Sequence, residues 1–127
     1  MERLVPWEPF LQSVCQTVRA DYLEFCRAGP ELVHRVGIAC GAAAEYLKDA
    51  ATAGCDTFIT GEARFHAILE CQSAGMNLIL TGHYCSERPA VEQLANQLRQ
   101  RVDGVEFIAS MSDQNPVSLF RRRTPFM

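Results

Sequence analysis

Asp56-Thr57-Phe58-Ile59-Thr60-Gly61, a helical run from Glu62 to Ala74 closed by Gly75, then Asn77-Leu78-Ile79-Leu80-Thr81-Gly82 and a second helical run from His83 to Val102 decide the fold. Each strand is short and apolar at successive positions, as a strand must be when both of its faces are covered. Strands of this kind alternating with helices predict a parallel sheet with right-handed crossovers. The pattern extends upstream through a strand Arg35-Val-Gly-Ile-Ala-Cys40 and a helix from Ala42 to Ala53. Gly54 follows that helix where a left-handed cap is wanted.

Farther out, Phe10, Leu11, Val14, Cys15 and Val18 recur at the three-and-four spacing of one helical face, which predicts a helix over about residues 7–19 within an N-terminal segment of about 1–20. Tyr22 to Cys26 reads as a short strand ended by the Gly29-Pro30 turn, and Val105 to Ser110 as a last strand after Asp103-Gly104. A tail of about 112–127 contains the Asn115-Pro116 turn. The expected fold class is therefore α/β: a three-layer sandwich with a mainly parallel sheet flanked by helices, forming a single domain over 1–127.

Composition agrees with a packed domain, since 48% of the 127 residues are hydrophobic and 21% charged. A net charge of −3 argues against a nucleic-acid binder, which needs a basic face. The Arg121-Arg122-Arg123 cluster reads as a solvated end. No apolar stretch approaches the length of a membrane span and the N-terminus lacks a signal-peptide core, so a cytoplasmic protein is expected. The six cysteines fall inside apolar segments and include no Cys-x-x-Cys, so they read as buried free thiols.

Chemistry is concentrated at two similar strand ends. One runs Thr60-Gly61-Glu62-Ala63-Arg64-Phe65-His66, the other Thr81-Gly82-His83-Tyr84-Cys85-Ser86-Glu87. In each, an acid and a histidine stand four residues apart, a spacing that puts both on one face of a helix. Both pairs lie at the carboxyl edge of the sheet, where open α/β folds bind ligands. Two imidazoles and two carboxylates suit a divalent metal such as zinc, manganese, iron or cobalt, which would activate water or polarise a carbonyl or phosphoryl oxygen. The same residues also admit a plain reading as local helix-start hydrogen bonds. Cys40-Gly41 reads as a structural turn, Cys85 as a packed thiol, Tyr84 as a half-buried aromatic, and His34 as a surface or satisfied edge histidine.

These two stretches resemble the Thr-Gly-Asp-x-x-Tyr-His and Gly-His-Tyr-x-Ser-Glu signatures of the NIF-three-like family, also labelled GTP cyclohydrolase I type 2-like. Supporting similarity runs from Val36-Gly-Ile-Ala-Cys-Gly41 to Ser112-Asp-Gln-Asn-Pro116. The resemblance implies half of the family's fold, with His83 and Glu87 as metal ligands of a dinuclear site and Glu62 and His66 lining it in catalytic roles. It also implies ring-like homo-oligomers. Family members are about twice this length and carry a His-His pair in their N-terminal half, which this chain lacks. Here Glu62 stands in place of Asp, Phe65 in place of Tyr, and Ala42 to Ala44 in place of a glycine-rich turn. The expected function is thus a divalent-metal-binding, hydrolase-like protein. The alternative is a non-catalytic binding or assembly module that needs a partner half. A homo-oligomer or a complementing chain is the expected partner.

Overall fold

The computed structural model describes residues 3–125. Helix α1 (Trp7–Val18) follows a two-residue strand β1 (Val5–Pro6), which pairs antiparallel with β3 (Leu32–Val33). The main sheet comprises β2 (Glu24–Cys26), β4 (Val36–Ala39), β5 (Thr57–Thr60) and β6 (Asn77–Leu80). Its order is β2-β6-β5-β4: the last three strands are parallel, and β2 lies antiparallel along β6 with Phe25 opposite Ile79. Helices α2 (Leu47–Thr52), α3 (Phe65–Ser73) and α4 (His83–Arg101) follow β4, β5 and β6.

Every residue of β5 and β6 is buried, and alternation divides them between two cores. Phe58, Leu78 and Leu80 pack with Leu47 and Ala50 of α2 and Cys71 of α3. Ile59 and Ile79 pack on the opposite face with Trp7 and Val14 of α1. The result is the three-layer α/β arrangement expected from the sequence. Fully burying a side chain such as Phe58 or Ile79 contributes about 1.5–3 kcal/mol, so these two strands anchor the domain. Among the described residues, no helix is long and apolar enough to cross a membrane.

Three sequence expectations are corrected. The segment after β4 is not helical from Ala42. Ala43 turns inward to bring its N–H to Thr60 Oγ1 (3.3 Å), a short 3₁₀ turn spans Ala44–Tyr46, and α2 starts only at Leu47. The helix expected from Glu62 begins at Phe65, after an extended Arg64. The expected strand Val105 to Ser110 does not form. Instead the chain doubles back along α4, with Arg99 Nε donating to the Phe107 carbonyl (2.7 Å). All six cysteines are free, but only Cys71 is fully buried and Cys40 is exposed.

Candidate functional site

Glycine closes each parallel strand end: Gly41 after β4, Gly61 after β5 and Gly82 after β6. The three ends are stitched together by the Gly41 carbonyl, which accepts from Gly61 N–H (2.9 Å), Glu62 N–H (3.2 Å) and the Thr60 hydroxyl (3.1 Å). Gly82 N–H continues the row to the Gly61 carbonyl at 2.8 Å.

Helix α4 starts on the residue after Gly82, so His83 and Glu87 share its first face as the spacing predicts. His83 Nε2 lies 3.1 Å from Glu87 Oε1. The ring's other nitrogen, Nδ1, lies 2.6 Å from Glu62 Oε1, which arrives from the loop after β5. The Glu62 hydrogen bond, followed by the nearby Glu87 charge, raises the His83 pKa above the ordinary imidazole value. Without another ligand, the doubly donating imidazolium is the form that satisfies both carboxylates.

Gly41 keeps this corner open. A Cβ there would come within 2.8 Å of Glu87 Oε1 and 3.2 Å of His83 Nε2, and φ of +73° disfavours any side chain at that position. Ser86, one turn on from Gly82, accepts the Gly41 N–H (2.8 Å) and donates to the His83 carbonyl (2.7 Å). It ties the histidine's backbone to the neighbouring strand end.

His66 is separate. It lies on α3 in an open groove of about 400 Å³ shared with Glu45, Glu62, Arg64 and Glu70. The Glu62–His66 helix pair expected from their spacing does not exist, because Glu62 precedes the helix and turns its carboxylate to His83. Of the four site residues predicted from sequence, three come together and His66 stands aside. Gly41 and Ser86 had been given no role in the site. Their signal was present in the matching Gly41, Gly61 and Gly82 positions and in the serine between His83 and Glu87.

The donor set is chemically suited to a divalent ion of intermediate hardness. His83 Nε2 and Glu87 Oε1, 3.1 Å apart, are an imidazole and a carboxylate donor of the kinds that take such an ion. A carboxylate on the far nitrogen, where Glu62 stands, is the kind of partner that fixes the tautomer and orientation of a metal-ligating histidine. Among the described residues, however, no group of three or more His, Cys, Asp or Glu side chains is arranged to hold an ion.

A mainly parallel α/β sheet carrying a histidine–carboxylate pair at its glycine-lined carboxyl edge defines the class. The family profile described as Duf34/NIF3 (NGG1p interacting factor 3) matches residues 1–116, and the chain belongs to that family. It is 30% identical over 112 residues to the GTP cyclohydrolase 1 type 2 homolog of Escherichia coli K12, an alignment covering 81% of this chain and 45% of that protein. It is 36% identical over 89 residues to the Haemophilus influenzae protein of the same name, covering 70% of this chain and 36% of the relative. The fold is similar to a Bacillus cereus protein related to NIF3, with a TM-score of 0.80, 21% identity, and coverage of 94% of this chain and 34% of the other. The chain thus spans between a third and a half of the length of such curated relatives.

Proposed function

We propose that this chain is a divalent-metal-binding half of a NIF-three-like protein, with His83 and Glu87 as ligands of zinc, manganese, iron or cobalt. The observation that carries the reading is the convergence of His83 Nε2 and Glu87 Oε1 over the side-chain-free Gly41, with Glu62 on the opposite ring nitrogen. A bound ion would supply Lewis acidity toward a substrate oxygen or a water molecule. Glu62 holds the Nδ1 proton and so keeps Nε2 free as a donor. His66, which lines a groove together with Glu62, would exchange a proton with a molecule bound there. Hydrolysis of the GTP cyclohydrolase type 2 kind is the activity the relatives' name suggests. With two ligands from this chain, turnover by the chain alone is expected to be slow or absent.

Purification without chelator, followed by elemental analysis, tests the reading. Wild type retains a divalent metal and His83→Ala does not; equal metal content in the two overturns it.

The second reading is a non-catalytic binding or assembly module, favoured by the want of a third converging donor among the described residues and by the share of the relatives' length that the chain spans. In either reading the remaining coordination positions fall to a second copy or to a complementing chain. Self-association is supported by β4, an open edge of the sheet with Ile38 69% exposed. Sedimentation as a strict 14.2 kDa monomer at high concentration speaks against it.

A further inference from the structure

The part of α4 that carries His83 and Glu87 is poorly supported by its own helix. Its N-cap, Gly82, offers no side-chain cap. Pro89 lies inside the helix, where it has no N–H for the Cys85 carbonyl and its ring crowds that carbonyl. Residues 83–88 therefore form a turn and a half that has no side-chain cap at one end and is weakly joined to the remainder at the other. Something outside the helix must set their orientation.

Besides Glu62 on the His83 ring, two further ties reach these residues from outside the helix. The first is Ser86, already described, which fastens the turn to Gly41. The second comes from the C-terminal segment. Having doubled back along α4, that segment brings Asp113 beside the first turns, where Asp113 Oδ2 accepts from Tyr84 Oη (2.7 Å) and from Arg88 Nε (2.7 Å). Arg88 also donates to the Ser110 carbonyl, and its side chain is only 14% exposed. Tyr84 and Arg88 are each the next residue after a proposed ligand, and they share the i,i+4 spacing of His83 and Glu87. One carboxylate thus bridges the turn on the face adjoining the donor pair.

We infer that Asp113, through Tyr84 and Arg88, is a positioning residue that fixes the rotation of the pre-proline turn of α4 and hence the alignment of His83 Nε2 with Glu87. The Ser110–Asp113 segment then belongs to the site as a splint. As a statement about metal affinity the inference rests on the metal-binding reading above; as a statement about the His83 ring it does not.

The experiment therefore uses two readouts on the full chain: nitrogen-15 shifts and the Nδ1 proton signal of the His83 ring without metal, and the visible spectrum and affinity on titration with cobalt(II). Asp113→Ala is expected to move the His83 ring signals, weaken cobalt binding about tenfold and change its absorption bands. Asp113→Glu restores both in part. Tyr84→Phe, which keeps the ring and removes one bond, gives a smaller change in the same direction and serves should Asp113→Ala fold poorly. His83 signals unchanged in both Asp113→Ala and Tyr84→Phe overturn the inference. A wild-type chain that takes no cobalt while the ring signals still move defeats the metal reading and leaves the splint standing.

Discussion

At the end of β6 the chain passes one glycine and enters a helix at once; at the end of β5 it passes one glycine and runs extended through Arg64 before α3 begins. The cause lies in what each glycine is bonded to. Both glycines give their N–H to the glycine carbonyl of the neighbouring strand end, but the Gly61 carbonyl is itself taken by Gly82 N–H (2.8 Å). Gly82 instead spends its carbonyl on Ser86 N–H (3.1 Å), the first helical bond of α4. Two strand ends written almost alike therefore do different work. One supplies an on-helix pair, and the other supplies a loop carboxylate that reaches across to it.

The largest test of that difference exchanges the histidines. His83→Ala should lower affinity for zinc or manganese by at least about a hundredfold, beyond the range of an outer-shell loss. His66→Ala should leave it within error by calorimetric titration. Equal losses would mean that the two ends are equivalent after all.

The glycines come next. A Cβ at Gly61 would meet the Gly41 carbonyl at 2.7 Å and Ser86 Oγ at 2.8 Å, whereas at Gly82 it would meet nothing within 4 Å. Gly61→Ala should cost about 3 kcal/mol, at the upper end of overpacking. Gly82→Ala should cost about 1–3 kcal/mol, because φ of +85° with ψ of 147° borders a backbone region essentially reserved for glycine. Urea melts of the two variants measure both.

Glu62→Gln removes the charge that the loop sends across. The His83 pKa is raised in the folded chain. The stability due to its protonated form is therefore complete below the ordinary imidazole value and fades as pH rises through the higher one. In Glu62→Gln the ring's titration midpoint, followed by NMR, should move down, and metal affinity should fall about tenfold. A midpoint that stays put would assign the shift to Glu87.

The smallest effect concerns thiols. Cys85, on the α4 turn, has its pKa raised chiefly by burial, with the Asp21 charge adding to it. Cys40, beside Gly41, is exposed. A thiol reagent near neutral pH should label Cys40 first and Cys85 several-fold more slowly. Cys71, pushed up to about 11 by burial, should react last. Cys85 labelling ahead of Cys40 would show that the helix N-terminus outweighs burial there.

Both central strands, the helix positions within a few residues, and the His83–Glu87 pair were readable because they rest on local patterns: continuous apolar runs, glycine punctuation and i,i+4 spacing. What was not readable depended on long-range bonds. Glu62 has the same sequence context whether it starts a helix or not, and its bonds to the Gly41 carbonyl and to His83 join it to residues far along the chain. Val105 to Ser110 alternates like a strand, yet it is held along α4 by Arg99 and Arg88, which take the Phe107 and Ser110 carbonyls. The role of Asp113 is invisible without the doubling back that brings it to Tyr84.

The seat taken by β2 also has a consequence in time. Glu24 to Cys26 leaves the ribosome well before its partners Leu78 to Leu80, whereas β4, β5 and β6 meet neighbours made one helix earlier. Closing the longer loop carries the larger entropic cost and comes later in assembly. The growing chain therefore carries an unpaired strand until β6 emerges. In pulse-labelled hydrogen exchange during refolding, the amides of Phe58 and Ile59 should gain protection before that of Phe25, with the antiparallel strand locking the sheet last.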